Sequence, residues 1–272
     1  MQLEILADLP TRNANVPPLL FVHGAWHGAW CWKEYFFPYF SSQGVSCYAL
    51  SLRGHGASEG MERIHSFSLS DYVDDVLEVM KQLKEKPVLI GHSMGGEIVQ
   101  RVAHAYPDKV KAVILLASAP PQGATLPDQL LFLLTHVREM FQINLFNQGK
   151  SLQFPIQFLF SKLLTVEEKE KFTKLLQPES QLVMRNLGKR FLPVPTESSP
   201  QLSMLVLGAK KDTIAREKTI RSIAKFYRTQ PVIFPDIGHD MMLDNGWEKV
   251  VHVMHTFLRQ MVSAEGHSSG SL

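Results

Sequence analysis

Cysteine is nearly absent from this chain of 272 residues, which contains only Cys31 and Cys47. Two cysteines are too few for a disulfide framework, and they lack the paired spacing of a zinc site. The sequence therefore predicts a reduced, intracellular setting, although a single disulfide between the two stays open.

An excess of charge of one sign is also lacking, because 28 Lys and Arg residues balance 26 Asp and Glu residues. A balanced composition gives no clustered basic face, so we expect no nucleic-acid partner. No uncharged apolar run reaches the length of about 18 residues that a transmembrane segment requires. The first residues, MQLEILADLP, also lack the basic and apolar regions of a secretory signal. These absences predict a soluble, cytoplasmic protein.

What the sequence does contain is a succession of short apolar runs separated by segments with helical periodicity. Runs bounded by Pro, Gly or Asp are typical of strands buried on both faces of a parallel sheet. The runs are LEIL, PLLFVHG, VSCYALSL, PVLIGHS, AVILLAS, SMLVLGA and PVIFPDI. Apolar stripes predict one helix that starts near Ser70, capped with Asp74, and another over residues 245–261. This alternation predicts an α/β fold with a doubly wound, mostly parallel sheet flanked by helices.

Residues 121–200 interrupt the alternation, because they contain no strand-like run and are rich in Phe and Leu. We expect a helical insertion that forms a lid over an active site, with extra core helices as the alternative. The core is then 1–120 and 201–263, and the polar residues 264–272 form a disordered tail.

The apolar residues of this insertion are too dense for the single stripe of an amphipathic helix. We expect some of them to face the sheet and others to line a substrate tunnel. The residues are Leu130, Leu131, Phe132, Leu133, Leu134, Phe154, Phe158, Leu159 and Phe160.

The strongest signal is the G-x-S-x-G pattern Gly91-His92-Ser93-Met94-Gly95. It lies between the apolar run PVLI and the helix-like segment GEIVQRVAHAY, and such a strand–turn–helix context projects the serine Oγ above a sheet. Ser93 is therefore the predicted nucleophile, with an incidental glycine-rich turn as the alternative.

A second glycine turn, His23-Gly24-Ala25-Trp26, follows the run PLLFV. Together with the amide of Met94, which follows the nucleophile, the backbone amide of Ala25 predicts an oxyanion hole. Trp26 is the less favoured donor, because Ala25 follows the His-Gly pair immediately.

The segments HGAWHGAWCW, LSLRGHGAS, GHSMGG, LGAKKD and IGHDMM resemble the α/β-hydrolase fold superfamily in order and spacing, over about residues 18–261. The resemblance implies a catalytic triad in the order serine, acid and histidine, which falls on Ser93, Asp212 and His239. Asp236 and Asp240 flank the histidine and are the alternatives for the acid. A serine nucleophile also distinguishes the chain from haloalkane dehalogenases and epoxide hydrolases, which have aspartate at that place.

Within that superfamily, the opening HGAWHGAW is similar to plant methylesterases and hydroxynitrile lyases, and the chain also resembles the monoacylglycerol lipase-like group. The lyases have a lysine directly after the catalytic histidine, whereas this chain has Asp240, which favours hydrolysis. The resemblance therefore implies a serine carboxylic-ester hydrolase for a small-molecule ester with an apolar acyl or alcohol group. It implies no metal and no organic cofactor. Candidate substrate-binding residues are Trp26, Phe132 and Phe158.

Two other functions stay open at this point. The chain could be a small-molecule receptor that keeps the hydrolase fold with slow turnover, or a cofactor-free perhydrolase or C–C hydrolase. Fold alone does not choose among these functions. Neither the identity of the ester nor the oligomeric state follows from the sequence.

Overall fold

A sheet of seven strands lies at the centre of the computed structural model, which describes residues 1–161, 164–193 and 202–268. The strands are β1 (Ile5–Asp8), β2 (Leu19–Val22), β3 (Cys47–Leu50), β4 (Val88–His92), β5 (Ala112–Leu116), β6 (Ser203–Ala209) and β7 (Pro231–Phe234). Their order is β1-β3-β2-β4-β5-β6-β7, and every neighbouring pair is parallel except β1 with β3. Each strand overlaps one of the apolar runs, so the predicted doubly wound, mostly parallel sheet is confirmed.

Helices connect these strands. They are α1 (Trp30–Lys33), α2 (Phe36–Ser42), α3 (Leu69–Met80), α4 (Met94–Ala105), α5 (Leu126–Thr135), α6 (Val137–Asn147), α7 (Val166–Thr173), α8 (Gln181–Asn186), α9 (Glu217–Phe226) and α10 (Trp247–Ser268). Every residue of β2, β4 and β5 is buried. Helices and loops therefore cover both faces of the sheet centre, as parallel strands require.

The first predicted helix starts two residues earlier than expected. Ser68 is the N-cap of α3, and its hydroxyl accepts a hydrogen bond from the Asp71 amide while the Asp71 carboxylate accepts one from the Ser68 amide. This reciprocal pair satisfies two helix-end donors at once. The predicted Ser70 and Asp74 lie inside the helix instead.

The last helix continues beyond its apolar stripe. It was expected over 245–261 with a disordered tail from 264, but α10 extends to Ser268. No proline interrupts this stretch, so the helical hydrogen bonding continues after the last core contacts. The remaining tail residues, 269–272, lie outside the described part of the chain.

The β5–β6 connection, residues 117–202, contains α5 to α8 and, over its described residues, no strand. It agrees with the helical character expected for 121–200. Among the residues that the structure describes, no helix has both the length and the apolar character needed to cross a membrane.

Candidate active site

Ser93 forms the turn between β4 and α4 in a backbone conformation that side chains rarely adopt, with φ at 52° and ψ at −114°. Such strain persists only where the surroundings enforce it, and it is often found at functional sites. The residues on either side, His92 and Met94, are buried, whereas Ser93 is partly exposed. The turn therefore presents the serine hydroxyl at the carboxyl edge of the sheet.

Two glycines allow this turn to form. A Cβ atom on Gly91 would lie 2.5 Å from the carbonyl oxygen of Gly95, and a Cβ atom on Gly95 would overlap the carbonyl oxygen of Val22. Strand β4, helix α4 and strand β2 approach one another too closely here for any side chain. The glycines of the G-x-S-x-G pattern thus provide close backbone packing around the serine.

Asp212 and His239 lie together at the carboxyl ends of β6 and β7. Nδ1 of His239 donates to Oδ2 of Asp212 at 2.8 Å, and both residues are buried. The other carboxylate oxygen, Oδ1, accepts hydrogen bonds from the amides of Ile214 and Ala215 at 2.7 and 2.9 Å. These amides orient the carboxylate toward the imidazole, so Nε2 of His239 is the nitrogen left for proton transfer.

The electrostatic surroundings favour a protonated His239. Burial alone would lower its pKa, but the charges of Asp212 and Asp240 and the hydrogen bond that His239 donates to Asp212 outweigh burial, so the pKa is raised. A raised pKa makes the imidazole a stronger proton acceptor.

His92 brings the histidine to the serine turn. Its Nε2 donates to the carbonyl oxygen of His239 at 3.0 Å, and the two rings lie 4.8 Å apart. Burial is the main factor that lowers the pKa of His92 to about 3, so the ring is neutral. Because His92 precedes Ser93 directly, this hydrogen bond places His239 beside the Ser93 turn.

The loop after β2 lies against the same turn. A Cβ atom on Gly24 would lie only 3.1 Å from Cβ of Ser93. The amide of Met94 is at the N-terminus of α4, where amides have no acceptor within the helix. Among the described residues, no hydrogen bond uses the amide of Ala25 or that of Met94. The two amides predicted for an oxyanion hole therefore have no acceptor among the described residues.

A buried ion pair supports this loop, and the sequence reasoning did not predict it. Nε2 of His27 lies 3.0 Å from Oδ2 of Asp240, and Nδ1 of His27 donates to the carbonyl oxygen of Ala25 at 2.8 Å. Both ring nitrogens of His27 therefore face acceptor oxygens. Burial would raise the pKa of Asp240, but the charge of His27 outweighs it, so the pKa is lowered. The second His-Gly pair of HGAWHG and the acid after His239 were the only sequence signals for it.

His92, His239 and Asp240 also meet the distance criterion for a metal cluster, with candidate ligand atoms within 4.8 Å of one another. Each of these residues uses one possible ligand atom in a hydrogen bond, whereas Nδ1 of His92 and Oδ1 of Asp240 are buried and have no hydrogen-bond partner within the described part of the chain. Nε2 of His92 binds a carbonyl, Nδ1 of His239 binds Asp212, and Oδ2 of Asp240 binds His27.

Trp26 links the core to the β5–β6 connection. It has a positive φ of 69°, its indole Nε1 donates to Oδ1 of Asn147 at 3.0 Å, and its ring packs 5.0 Å from that of Phe154. The other two candidate substrate-binding residues, Phe132 and Phe158, pack against each other with ring centroids 5.8 Å apart. Phe158 is buried, and Phe132 is half-buried.

The expectation for the α5 leucines is wrong. Leu130, Leu131, Leu133 and Leu134 are exposed rather than packed on the sheet or in a tunnel. Helix α5 turns Phe132 toward the protein, and the leucines then fall on its opposite side. The later aromatic residues of the insertion are buried as expected: Phe154, Phe158 and Phe160.

Buried polar contacts fasten the β5–β6 connection to the core. Nε2 of His55 lies 3.0 Å from Oε2 of Glu179, and the Tyr72 hydroxyl donates to Oε1 of Glu179 at 2.8 Å. Burial would lower the pKa of His55, but the charge of Glu179 outweighs burial, so the pKa of His55 is raised. Burial would raise the pKa of Glu179, but the charge of His55 outweighs burial, so the pKa of Glu179 is lowered. A charged pair therefore lies beneath the connection.

Residues 19–253 match the model of the alpha/beta hydrolase family. The chain belongs to this family. Norfluorocurarine synthase 1 from a Strychnos species is 32% identical over 114 residues, which are 40% of this chain and 41% of that protein. Methyl jasmonate esterase 1 from Vitis vinifera is 34% identical over 104 residues, 38% of this chain and 39% of that protein.

The matched part of the chain thus spans about two fifths of the length of these relatives. A solved structure gives a longer match. A thermophilic esterase from Thermogutta terrifontis has a TM-score of 0.71 at 20% identity, over 95% of this chain and 93% of that chain. At this identity the likeness is one of fold.

Proposed function

We propose that this protein is a serine hydrolase that cleaves a small-molecule carboxylic ester through an acyl-enzyme intermediate. The observation that carries the proposal is the 2.8 Å hydrogen bond from His239 to Asp212 next to the strained Ser93 turn. A serine hydroxyl is a weak nucleophile that needs an adjacent base, and the base needs a carboxylate to hold its tautomer. The similarity to a methyl jasmonate esterase supports an ester as substrate.

In this reaction Oγ of Ser93 attacks the ester carbonyl carbon, and its proton passes to Nε2 of His239. The carbon–oxygen bond to the alcohol then breaks, and the alcohol leaves with that proton. Water attacks the acyl-enzyme, gives a proton to His239, and releases the acid, while Ser93 regains its hydrogen. The amides of Ala25 and Met94 would hold the oxyanion in both steps, each worth about 3–4 kcal/mol.

The substrate group beside the serine is expected to be apolar. Trp26 and Phe158 are buried near the loop and the connection above it, with Phe132 next to Phe158. Binding sites for small molecules are mostly hydrophobic with few polar groups. The β5–β6 connection would act as the lid that excludes water, and we expect the protein to work in the cytoplasm.

The test is hydrolysis of p-nitrophenyl esters from acetate to palmitate by the wild type and Ser93→Ala. Loss of the nucleophile should lower kcat by roughly 10⁴–10⁶. A serine-directed phosphonate should label the wild type at Ser93, and Ser42→Ala, which removes an exposed serine, should change neither result. Labelling that persists in Ser93→Ala would contradict the assignment. Tight binding of an ester without turnover would favour a small-molecule receptor. Activity only with peroxide or a C–C substrate would favour a perhydrolase or C–C hydrolase.

A further inference from the structure

Helix α5 carries leucines over one half of its circumference, and these leucines face solvent. At 100° per residue they span an arc of about 160°. Their exposed fractions are 81% for Leu126, 59% for Leu130, 47% for Leu131, 53% for Leu133 and 68% for Leu134. Val137 and Phe141 of α6 are exposed as well. We call these seven residues the leucine face.

The other half of α5 contacts the protein. The ring of Phe132 packs on Phe158, Oδ1 of Asp128 lies 3.1 Å from Nζ of Lys218, and Nη2 of Arg216 donates to Oγ1 of Thr135 at 3.5 Å. These contacts fix the rotation of the helix. The leucine face therefore points outward, while the side with Phe132, Asp128 and Thr135 lies toward the protein surface. An apolar side that faces solvent reverses the usual orientation of a surface helix.

Cationic residues border this face. Arg216 and Lys218 contact α5 on the side away from the leucines, whereas Arg138 lies in the first turn of α6 and the segment with Lys189 and Arg190 lies against the chain before α5. The last contact is a hydrogen bond of 2.8 Å from the Ala124 amide to the Gly188 carbonyl. The acidic residues of α5 and α6 are Asp128, which Lys218 pairs, and Glu139. The border is therefore net positive.

We propose that the leucine face docks this protein onto an anionic lipid surface. An interfacial helix buries half of its circumference at the boundary between headgroups and acyl chains, which matches the arc of α5. Lysines and arginines at the border are attracted to anionic headgroups. A protein groove, by contrast, accepts a narrower stripe of a helix. A second copy on the same face would bring two cationic borders together. The proposal is independent of the reaction at Ser93.

The experiment is co-sedimentation of the full chain with vesicles of phosphatidylglycerol and phosphatidylcholine, compared with phosphatidylcholine alone. The combined variant Leu130→Gln, Leu131→Gln and Leu134→Gln should bind anionic vesicles at least about tenfold more weakly, since buried apolar area sets the affinity. The matched control is Val166→Gln with Leu175→Gln, which removes exposed apolar residues at α7. That control should bind as the wild type does.

The cationic border gives a second readout. Arg138→Gln with Lys189→Gln should lower binding to anionic vesicles while leaving the weak binding to phosphatidylcholine unchanged, and added salt should have the same effect. Equal binding by the wild type and the leucine variant, or no binding by the wild type, would overturn the proposal. A dimer that the leucine variant abolishes, without vesicle binding, would identify a second copy as the occupant.

Discussion

Nε2 of His27 lies 3.0 Å from Oδ2 of Asp240, and both side chains are buried beside the Ser93 turn. Through its other nitrogen, His27 holds the carbonyl oxygen of Ala25 and so fixes the peptide between Ala25 and Trp26. Trp26 follows with a positive φ, a conformation that costs free energy in a residue other than glycine. The ion pair is therefore placed to hold the strained loop that carries the proposed oxyanion-hole amide of Ala25.

Asp240→Asn should remove the charge that His27 needs and lower both stability and turnover. Breaking one partner of a buried pair costs about 3–5 kcal/mol, which urea unfolding would measure. We expect kcat to fall more than KM changes, because the oxyanion forms only after substrate has bound. The double variant Asp240→Asn with His27→Gln should lose less free energy of unfolding than the sum of the losses in the two single variants. An unchanged kcat in a folded Asp240→Asn protein would rule out a role for the pair in positioning the loop.

Asp212→Asn should lower kcat by about 10⁴, because an amide leaves the histidine in the wrong tautomer. The matched control is Asp236→Asn, which changes an exposed aspartate three residues before His239. We expect it to keep full activity in the same p-nitrophenyl ester assay. The reverse pattern would mean that the acid of the triad is not Asp212.

The pH dependence of kcat/KM should report the raised pKa of His239. The histidine must be neutral to accept the serine proton, so activity should fall as pH decreases through a midpoint above its ordinary value of about 6.5. In the residual activity of Asp212→Asn this midpoint should move to lower pH, because the largest factor that raises the pKa is removed. A pH midpoint that is the same in the wild type and in Asp212→Asn would argue against the pairing of His239 with Asp212.

The stability that the His55–Glu179 pair contributes should be lost both when the pH is raised and when it is lowered. The pKa of His55 is raised, so its contribution is complete below the unfolded value of about 6.5 and is lost as pH rises through the folded pKa. The pKa of Glu179 is lowered, so its contribution is complete above about 4.3 and is lost as pH falls through the folded pKa.

Glu179→Gln should therefore destabilise the protein by about 3–5 kcal/mol near pH 5.5, and less at pH 9. Urea unfolding at the two pH values would measure the difference, and limited proteolysis should show faster cleavage within the β5–β6 connection. A destabilisation that is the same at both values would indicate that the pair is not charged.

If an apolar channel lies beneath the connection, catalytic efficiency should rise with acyl length from acetate to about octanoate. Each buried methylene contributes up to about 0.8 kcal/mol, or roughly fourfold. Phe158→Ala should flatten this rise and leave acetate hydrolysis nearly unchanged, whereas Leu130→Gln on the solvent side of α5 should have no effect in a soluble assay. A profile that peaks at acetate would indicate a compact pocket for a methyl ester or a lactone.

Much of the fold follows from local sequence. Each strand overlaps a short apolar run, because the central strands are buried on both faces and favour apolar residues. The Ser93 turn is equally local, since Gly91 and Gly95 are required only two residues away on either side. These features depend on neighbours in the chain, so composition and spacing suffice to find them.

The partners of the site depend on contacts between distant segments. Asp212, Asp236 and Asp240 are chemically equivalent in the sequence, and only the packing of β6 beside β7 places the first of them against His239. The same holds for α5: its helical period groups the leucines on one side, but the contacts of Phe132, Asp128 and Thr135 turn that side to solvent. Which side of an element faces the core is set by the surface it packs against, and that surface comes from residues far away in the chain.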